Sequence, residues 1–192
     1  TIMKKLVRIG LAAAISFGAL SGCSLLGKEN GIIAYGSEQQ VNTVIDKNKN
    51  GIKEKNTYKM KLTILEDKKV LVMDKKTGEE LVKKGLLKKV DKDDNTEAID
   101  KLPAVTSDQG VLFTKEKVEN VTIDGAKLKY EGNTIIGHNR AYADMFAIID
   151  DAAYGNIKGE EKSVGVLRYD KNPKNELRNY KGADRTQLVE IK

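Results

Sequence analysis

The chain has 192 residues, 40% of them hydrophobic and 32% charged but only 5% aromatic, with two prolines and no tryptophan. That composition excludes a collagen-like, proline-rich or low-complexity chain, and the length suits one domain. The 34 basic and 28 acidic side chains leave a net +6, too little self-repulsion to oppose folding. One Cys and one His exclude multi-histidine metal sites and most nucleophile chemistry.

The first readable feature runs from Met3 to Cys23. Lys4, Lys5 and Arg8 precede an apolar stretch over residues 9–20. A bilayer span needs roughly 20 apolar residues, so this shorter run fits a secretory signal. It ends Leu20-Ser21-Gly22-Cys23, which resembles the lipobox of bacterial lipoproteins: a Leu, two small residues and an invariant Cys. The resemblance implies cleavage before Cys23, a diacylglycerol on its sulfur, and Cys23 as the mature N-terminus. Residues 1–22 are then signal peptide, 23–30 lipid anchor and tether, and 31–192 an extracytoplasmic domain. Acyl chains contribute about 0.8 kcal/mol per buried CH₂, so two or three hold a protein where one is marginal. The implied partner is the cell membrane, with the domain facing away from the cytoplasm. Losing Lys4, Lys5 and Arg8 leaves 31 basic against 28 acidic side chains, an excess too small to point to nucleic acid.

In the mature chain, Ile32-Ile33-Ala34-Tyr35 predicts a strand. Ser37-Glu38-Gln39-Gln40 reads as a capping box that opens a helix carrying Val41, Val44 and Ile45 on one face. Residues 57–73 predict a hairpin. Tyr58, Met60, Leu62 and Ile64 alternate with polar residues, Glu66-Asp67-Lys68-Lys69 turns the chain, and Val70-Leu71-Val72-Met73 returns it. Thr77-Gly78-Glu79-Glu80 predicts a second capped helix with Leu81, Val82, Leu86, Leu87 and Val90, although Gly85 inside it costs about 1 kcal/mol relative to Ala. A polar turn at 91–95 leads to a short helical piece that must end before Pro103.

Val111-Leu112-Phe113 reads as a strand, and residues 118–130 as a hairpin turning at Asp124-Gly125. Ile135-Ile136 is expected to continue the same sheet. Asn139 caps an expected helix in which Tyr142, Met145, Phe146, Ile149, Ala152 and Ala153 recur at helical spacing up to Gly155. Residues 164–169 and 188–191 read as final strands around a loop containing Asn172-Pro173. Strands and helices mix without βαβ alternation, so the expected fold is a single α+β domain of antiparallel hairpins with a few helices packed on the sheet.

Few constellations carry chemistry. Asp46-Lys47-Asn48-Lys49-Asn50-Gly51 resembles the first half of an EF-hand loop, but Thr57 stands where a bidentate Glu is required, so no metal is expected there. Ile136-Gly137-His138-Asn139, followed by Met145-Phe146, resembles the stretch around the histidine of sortase transpeptidases. Those enzymes attack with a Cys on a later strand, and no Cys follows residue 23, so the resemblance implies no activity. His138 is read as part of the turn into the expected helix. Asp150-Asp151 are adjacent on that helix and diverge by about 100°, which prevents them from converging on one substrate. No catalytic residue and no cofactor is assigned.

One asymmetry remains. Outside the signal every Arg lies late, at Arg140, Arg168, Arg178 and Arg185, together with Tyr142, Tyr154, Tyr169 and Tyr180. Arg and Tyr are enriched at interface hot spots. Arg140, Arg168, Tyr169, Arg178, Tyr180 and Arg185 are therefore the expected partner-binding residues, for an envelope protein or an anionic wall polymer. The leading functional expectation is a non-catalytic binding protein of the bacterial envelope. A cell-wall-acting enzyme or accessory, and a small solute-binding lipoprotein, stand as alternatives.

Overall fold

The computed structural model describes residues 28–192; the signal peptide, the lipobox with Cys23 and the tether up to Gly27 lie outside the described residues. In chain order the elements begin with β1 (Gly31–Gly36), α1 (Glu38–Asn48), β2 (Glu54–Leu65), β3 (Lys68–Asp74) and α2 (Lys75–Lys83). There follow β4 (Leu87–Val90), β5 (Thr96–Ala98), β6 (Gly110–Phe113), β7 (Val121–Ile123) and β8 (Ala126–Tyr130). The chain closes with β9 (Thr134–Ile136), β10 (Met145–Ile149), α3 (Asp151–Tyr154), β11 (Glu160–Arg168), a 3₁₀ helix (Lys174–Tyr180) and β12 (Arg185–Val189).

Nine strands form one sheet in the order β12-β1-β11-β2-β3-β10-β6-β8-β7, and β5-β4-β9 form a second, smaller one. One face of the large sheet carries a continuous core. Leu71, Met73, Phe113, Phe146, Ile148, Val164 and Val166 pack there with Leu87 and Ile136 of the small sheet and Leu81 of α2. Gly78 lets α2 approach closely, since a Cβ there would come within 2.9 Å of Ile148. The other face carries two separate cores. Val41, Val44 and Ile45 of α1 cover Ile32, Ala34 and Leu167 at one side. Val70, Val72, Leu112, Leu128, Ala147 and Ile149 gather around Ile157 at the other. Between them Lys61 of β2 donates to the carbonyls of Tyr154 and Ile157 at 2.9 and 3.0 Å, covering the gap with a charge rather than a side-chain core. The described residues make a single domain, and none of their helices is long and apolar enough to cross a membrane.

Local signals explain much of this. Ser37 and Gln40 make both bonds of the capping box at the start of α1. Glu66-Asp67 and Asp124-Gly125 take the positive φ angles that their hairpin turns require. Asp91 accepts from the backbone N–H of Asp93 and Asn95, forming the polar turn after β4.

Five sequence expectations are corrected. The helix expected from Asn139 is a loop followed by β10, and only Asp151–Tyr154 is helical. Met145-Phe146-Ala147-Ile148-Ile149 is buried at every residue because both faces of β10 are covered, and such a run satisfies helical spacing as well as a buried strand does. The second expected helix ends at Lys83 because Gly85, at φ 70°, takes the left-handed position after it. Gly85 N–H donates to Val82 and Leu86 N–H to Leu81, so the following residues are freed to become β4. The piece before Pro103 is strand β5, paired with β4. Ile135-Ile136 belongs to the small sheet. The large sheet is mixed rather than purely antiparallel, since β10 runs parallel to β3 and β8 to β6.

The strand directions define two ends. β1 and β2 both run antiparallel to β11, and β3 and β10 antiparallel to β2. The start of β1, where the described chain begins, therefore lies at one end, and Leu65, Lys68, Phe113 and Met145 lie at the other. At the first end Asn30 uses all its polar groups. Its N–H donates to Val189 and its carbonyl accepts from Tyr169, while its side-chain amide exchanges two bonds with the backbone of Ile191 at 2.9 and 2.7 Å.

A candidate binding groove at the far end of the sheet

The end opposite the start of β1 is open. The β2–β3 turn, the loop after β6, the start of β7 and the start of β10 surround a groove of about 910 Å³. Its apolar lining is Leu65, Val118 and Val121, partly covered side chains packed on the second outer-face core, together with the buried Met145 of that core. Its rim carries Lys68, Lys115 and Arg140 against Glu66, Glu116, Glu119 and Asp144. A second groove of about 700 Å³ lies on the other side of the segment Val118–Thr122. β7, a three-residue strand at the edge of the large sheet, thus stands between two concavities.

One wall of the first groove is held firmly. Asp144 N–H donates to the Lys69 carbonyl at 2.9 Å, and its carboxylate accepts from Lys69 N–H at 2.8 Å. Arg140 donates to the Asp144 carbonyl at 2.9 Å, to Asn133 Oδ1 at 2.6 Å and to the Thr134 carbonyl at 3.2 Å. The guanidinium also sits 5.4 Å from the centre of the Phe146 ring. Burial pulls the Arg140 pKa down and Asp144 opposes it; Arg remains charged in either case. Three of its five N–H groups are accounted for by these bonds, tying the small sheet to the start of β10.

The same loop is pinned at its other side. Tyr142 stacks on Tyr35 with centroids 4.7 Å apart and donates to Asp184 at 3.0 Å. Asp184 also accepts from Gln40 at 3.0 Å and from Lys162 at 3.3 Å. Burial pushes the Asp184 carboxyl up, but the bonds from Gln40, Tyr142 and Lys162, with the Lys162 charge, outweigh it and hold the pKa below the usual range. Tyr142 is pushed up to about 12, by burial first and then by Asp184. His138 donates its backbone N–H to Gln187, which in turn donates to Tyr35 Oη. The only imidazole therefore flanks a structural link and lines neither groove.

Of the six expected partner-binding residues, Arg140 lines the larger groove. Arg168 pairs with Glu54 at 3.3 Å at the opposite end of the sheet, Arg178 is exposed on the 3₁₀ helix, and Arg185 is exposed at the start of β12. Tyr169 and Tyr180 are 6% and 1% exposed and share a hydrogen bond between their hydroxyls, so their rings are core and offer no contact surface. Arg–Tyr enrichment in the sequence merged two populations, interior tyrosines and scattered surface arginines. The groove's apolar lining went unread because Leu65, Val118, Val121 and Met145 come from three distant segments, one of them expected to be helix. Asp150 and Asp151 flank the start of α3 rather than a helix end, and Asp151 accepts from Lys76 N–H at 3.3 Å. In the Asp46 loop the Asn48 side chain turns back to donate to the Val44 carbonyl at 2.7 Å. Among the described residues no three His, Cys, Asp or Glu side chains gather as a metal site.

Residues 29–192 match the model of an uncharacterised lipoprotein family. The fold is similar to a crystal structure from Bacillus anthracis described as that of a candidate lipoprotein, with 39% identity and a TM-score of 0.80, covering 85% of this chain and 99% of that one. No curated protein matches the chain.

Proposed function

Since the chain belongs to an uncharacterised lipoprotein family, we propose that it is anchored in the cell membrane through Cys23, faces outward, and works by binding an envelope partner in the groove lined by Val118, Val121 and Arg140. The observation that carries this reading is the placement of the groove. The chain leaves the lipid at one end of the strands, and the groove of about 910 Å³ opens at the other, where a tethered domain meets its surroundings. The groove combines apolar lining with charges of both signs, a surface for a segment that buries apolar side chains and is oriented by polar contacts. Its hydroxyls, Thr114 and Thr122, have no imidazole beside them in the lining, which favours binding over nucleophilic catalysis.

Two measurements test the two halves of the proposal. Cys23→Ala is expected to abolish lipid labelling in cells and leave uncleaved precursor or released protein; continued labelling removes the anchor. For the groove, Val118→Glu and Val121→Glu are expected to lose capture of a defined partner from solubilised envelope by tenfold or more, while Arg178→Ala, remote on the 3₁₀ helix, captures like wild type. Equal capture by all three variants removes the groove from the account.

A further inference from the structure

The end of the domain where the chain arrives from Cys23 is built from three segments: the turn after α1, the loop between β11 and the 3₁₀ helix, and the last residues of the chain. They are locked together there. Lys53 N–H donates to the Arg168 carbonyl, Tyr169 N–H to Asn30, Ile191 N–H to the Asn30 side chain, and Asn172 to Glu29. Around that junction Lys47, Lys49, Lys53, Lys171, Lys174 and Lys192 are exposed, against Asp46, Asp170 and Glu190. Lys28 and the buried Glu29 cancel. Only Lys53 has an ion-pair partner among these acids, Asp170 at 3.1 Å. Glu54 at the same end is shared by Lys84 and Arg168 at 2.9 and 3.3 Å, so it does not offset these lysines.

Resting on the anchor reading above, we propose that this basic end is a docking surface for an anionic bilayer, and that it orients the tethered domain with its groove outward. The tether decides the occupant. Five residue steps separate Cys23 from Lys28, and at about 3.6 Å each they span no more than about 18 Å. The Debye length is about 8 Å at physiological ionic strength, so the tether holds Lys28, where the domain begins, within roughly two screening lengths of the lipid headgroups and keeps this end of the domain the one that faces them. Basic residues beside a membrane anchor are attracted to anionic lipid in this way, and the covalent link makes the second contact intramolecular.

The lone Cys allows a test that does not depend on cellular acylation. The chain from Cys23 onward, which contains every described element, is coupled through that thiol to a maleimide-bearing lipid in vesicles. Acylation of lysine amines is then followed by mass spectrometry. On vesicles with 30% phosphatidylglycerol, labelling of Lys49, Lys171 and Lys174 is expected to slow at least threefold relative to pure phosphatidylcholine and to recover in 0.5 M salt, with Lys115 and Lys117 unchanged. Equal labelling on the two vesicles overturns the proposal even if native Cys23 is acylated. A Cys23→Ala chain supplies a second measurement: it is expected to partition onto phosphatidylglycerol vesicles at low salt at least tenfold more than its Lys49→Glu, Lys171→Glu, Lys174→Glu derivative. Equal partitioning counts against the surface. Protection of the same lysines by a soluble anionic polymer, with no dependence on vesicle charge, assigns the end to a different occupant and also overturns it.

Discussion

The two ends of the sheet are built on different principles. At the end where β1 starts the chain is closed tightly: Asn30 satisfies four polar groups at once, and Tyr169 and Tyr180 fill the space under α1 and the 3₁₀ helix. Its surface carries a single sign of excess charge. At the far end the strands stop around an uncovered apolar lining, and the loop 137–144 is fastened by side chains, through Arg140 on one flank and Asp184 on the other. Its rim mixes four carboxylates with three cations. The contrast is between an end closed by main-chain bonds and buried tyrosines, where the described residues begin, and an end whose apolar lining stays open.

If that division is right, substitutions at the two ends should separate stability from binding. The largest loss is expected from Tyr180→Ala, which empties a fully buried site under α1 and should cost about 3–5 kcal/mol in denaturant unfolding. Asn30→Ala should come next, at about 2–3 kcal/mol, because it strips partners from both polar groups of Ile191. A smaller effect is expected at the far end from Asp184→Asn. The Asp184 pKa is lower in the folded chain than in the unfolded one, so its contribution is present above the ordinary Asp value and fades as pH falls through the folded value. With the side chain about a third exposed, the deficit at pH 7 should be about 1 kcal/mol. It should fade as the pH falls through the folded value and vanish once the carboxyl is protonated in both states, where wild type and variant melt alike. The smallest effect on stability is expected from Val118→Glu and Val121→Glu, within about 1 kcal/mol, despite their predicted loss of partner capture. A groove variant that unfolds the domain, or a Tyr180→Ala chain as stable as wild type, breaks the contrast.

The local devices at both ends were legible in the sequence, and what joins them was not. Ser37 with Gln40 marked α1, Glu66-Asp67 and Asp124-Gly125 marked the hairpins, and the lipobox resemblance agrees with the family that residues 29–192 match. Met145–Ile149 was misread because a wholly buried strand has no polar alternation to distinguish it from helix. Its partner β3 lies some 70 residues earlier in a parallel pairing that no local pattern announces. Gly85 looked like a flaw inside a helix and is its stop. The groove was invisible for a related reason: sheet order alone brings residues 65–68, 114–122 and 140–145 together.

The outward orientation of the groove can be tested directly in cells. A photoreactive residue in place of Thr122, at the far end, and another in place of Lys171, beside the tether, would be crosslinked in the growing organism. The account predicts a defined protein adduct from position 122 and lipid adducts alone from position 171. A protein adduct from position 171 with none from position 122 would contradict it.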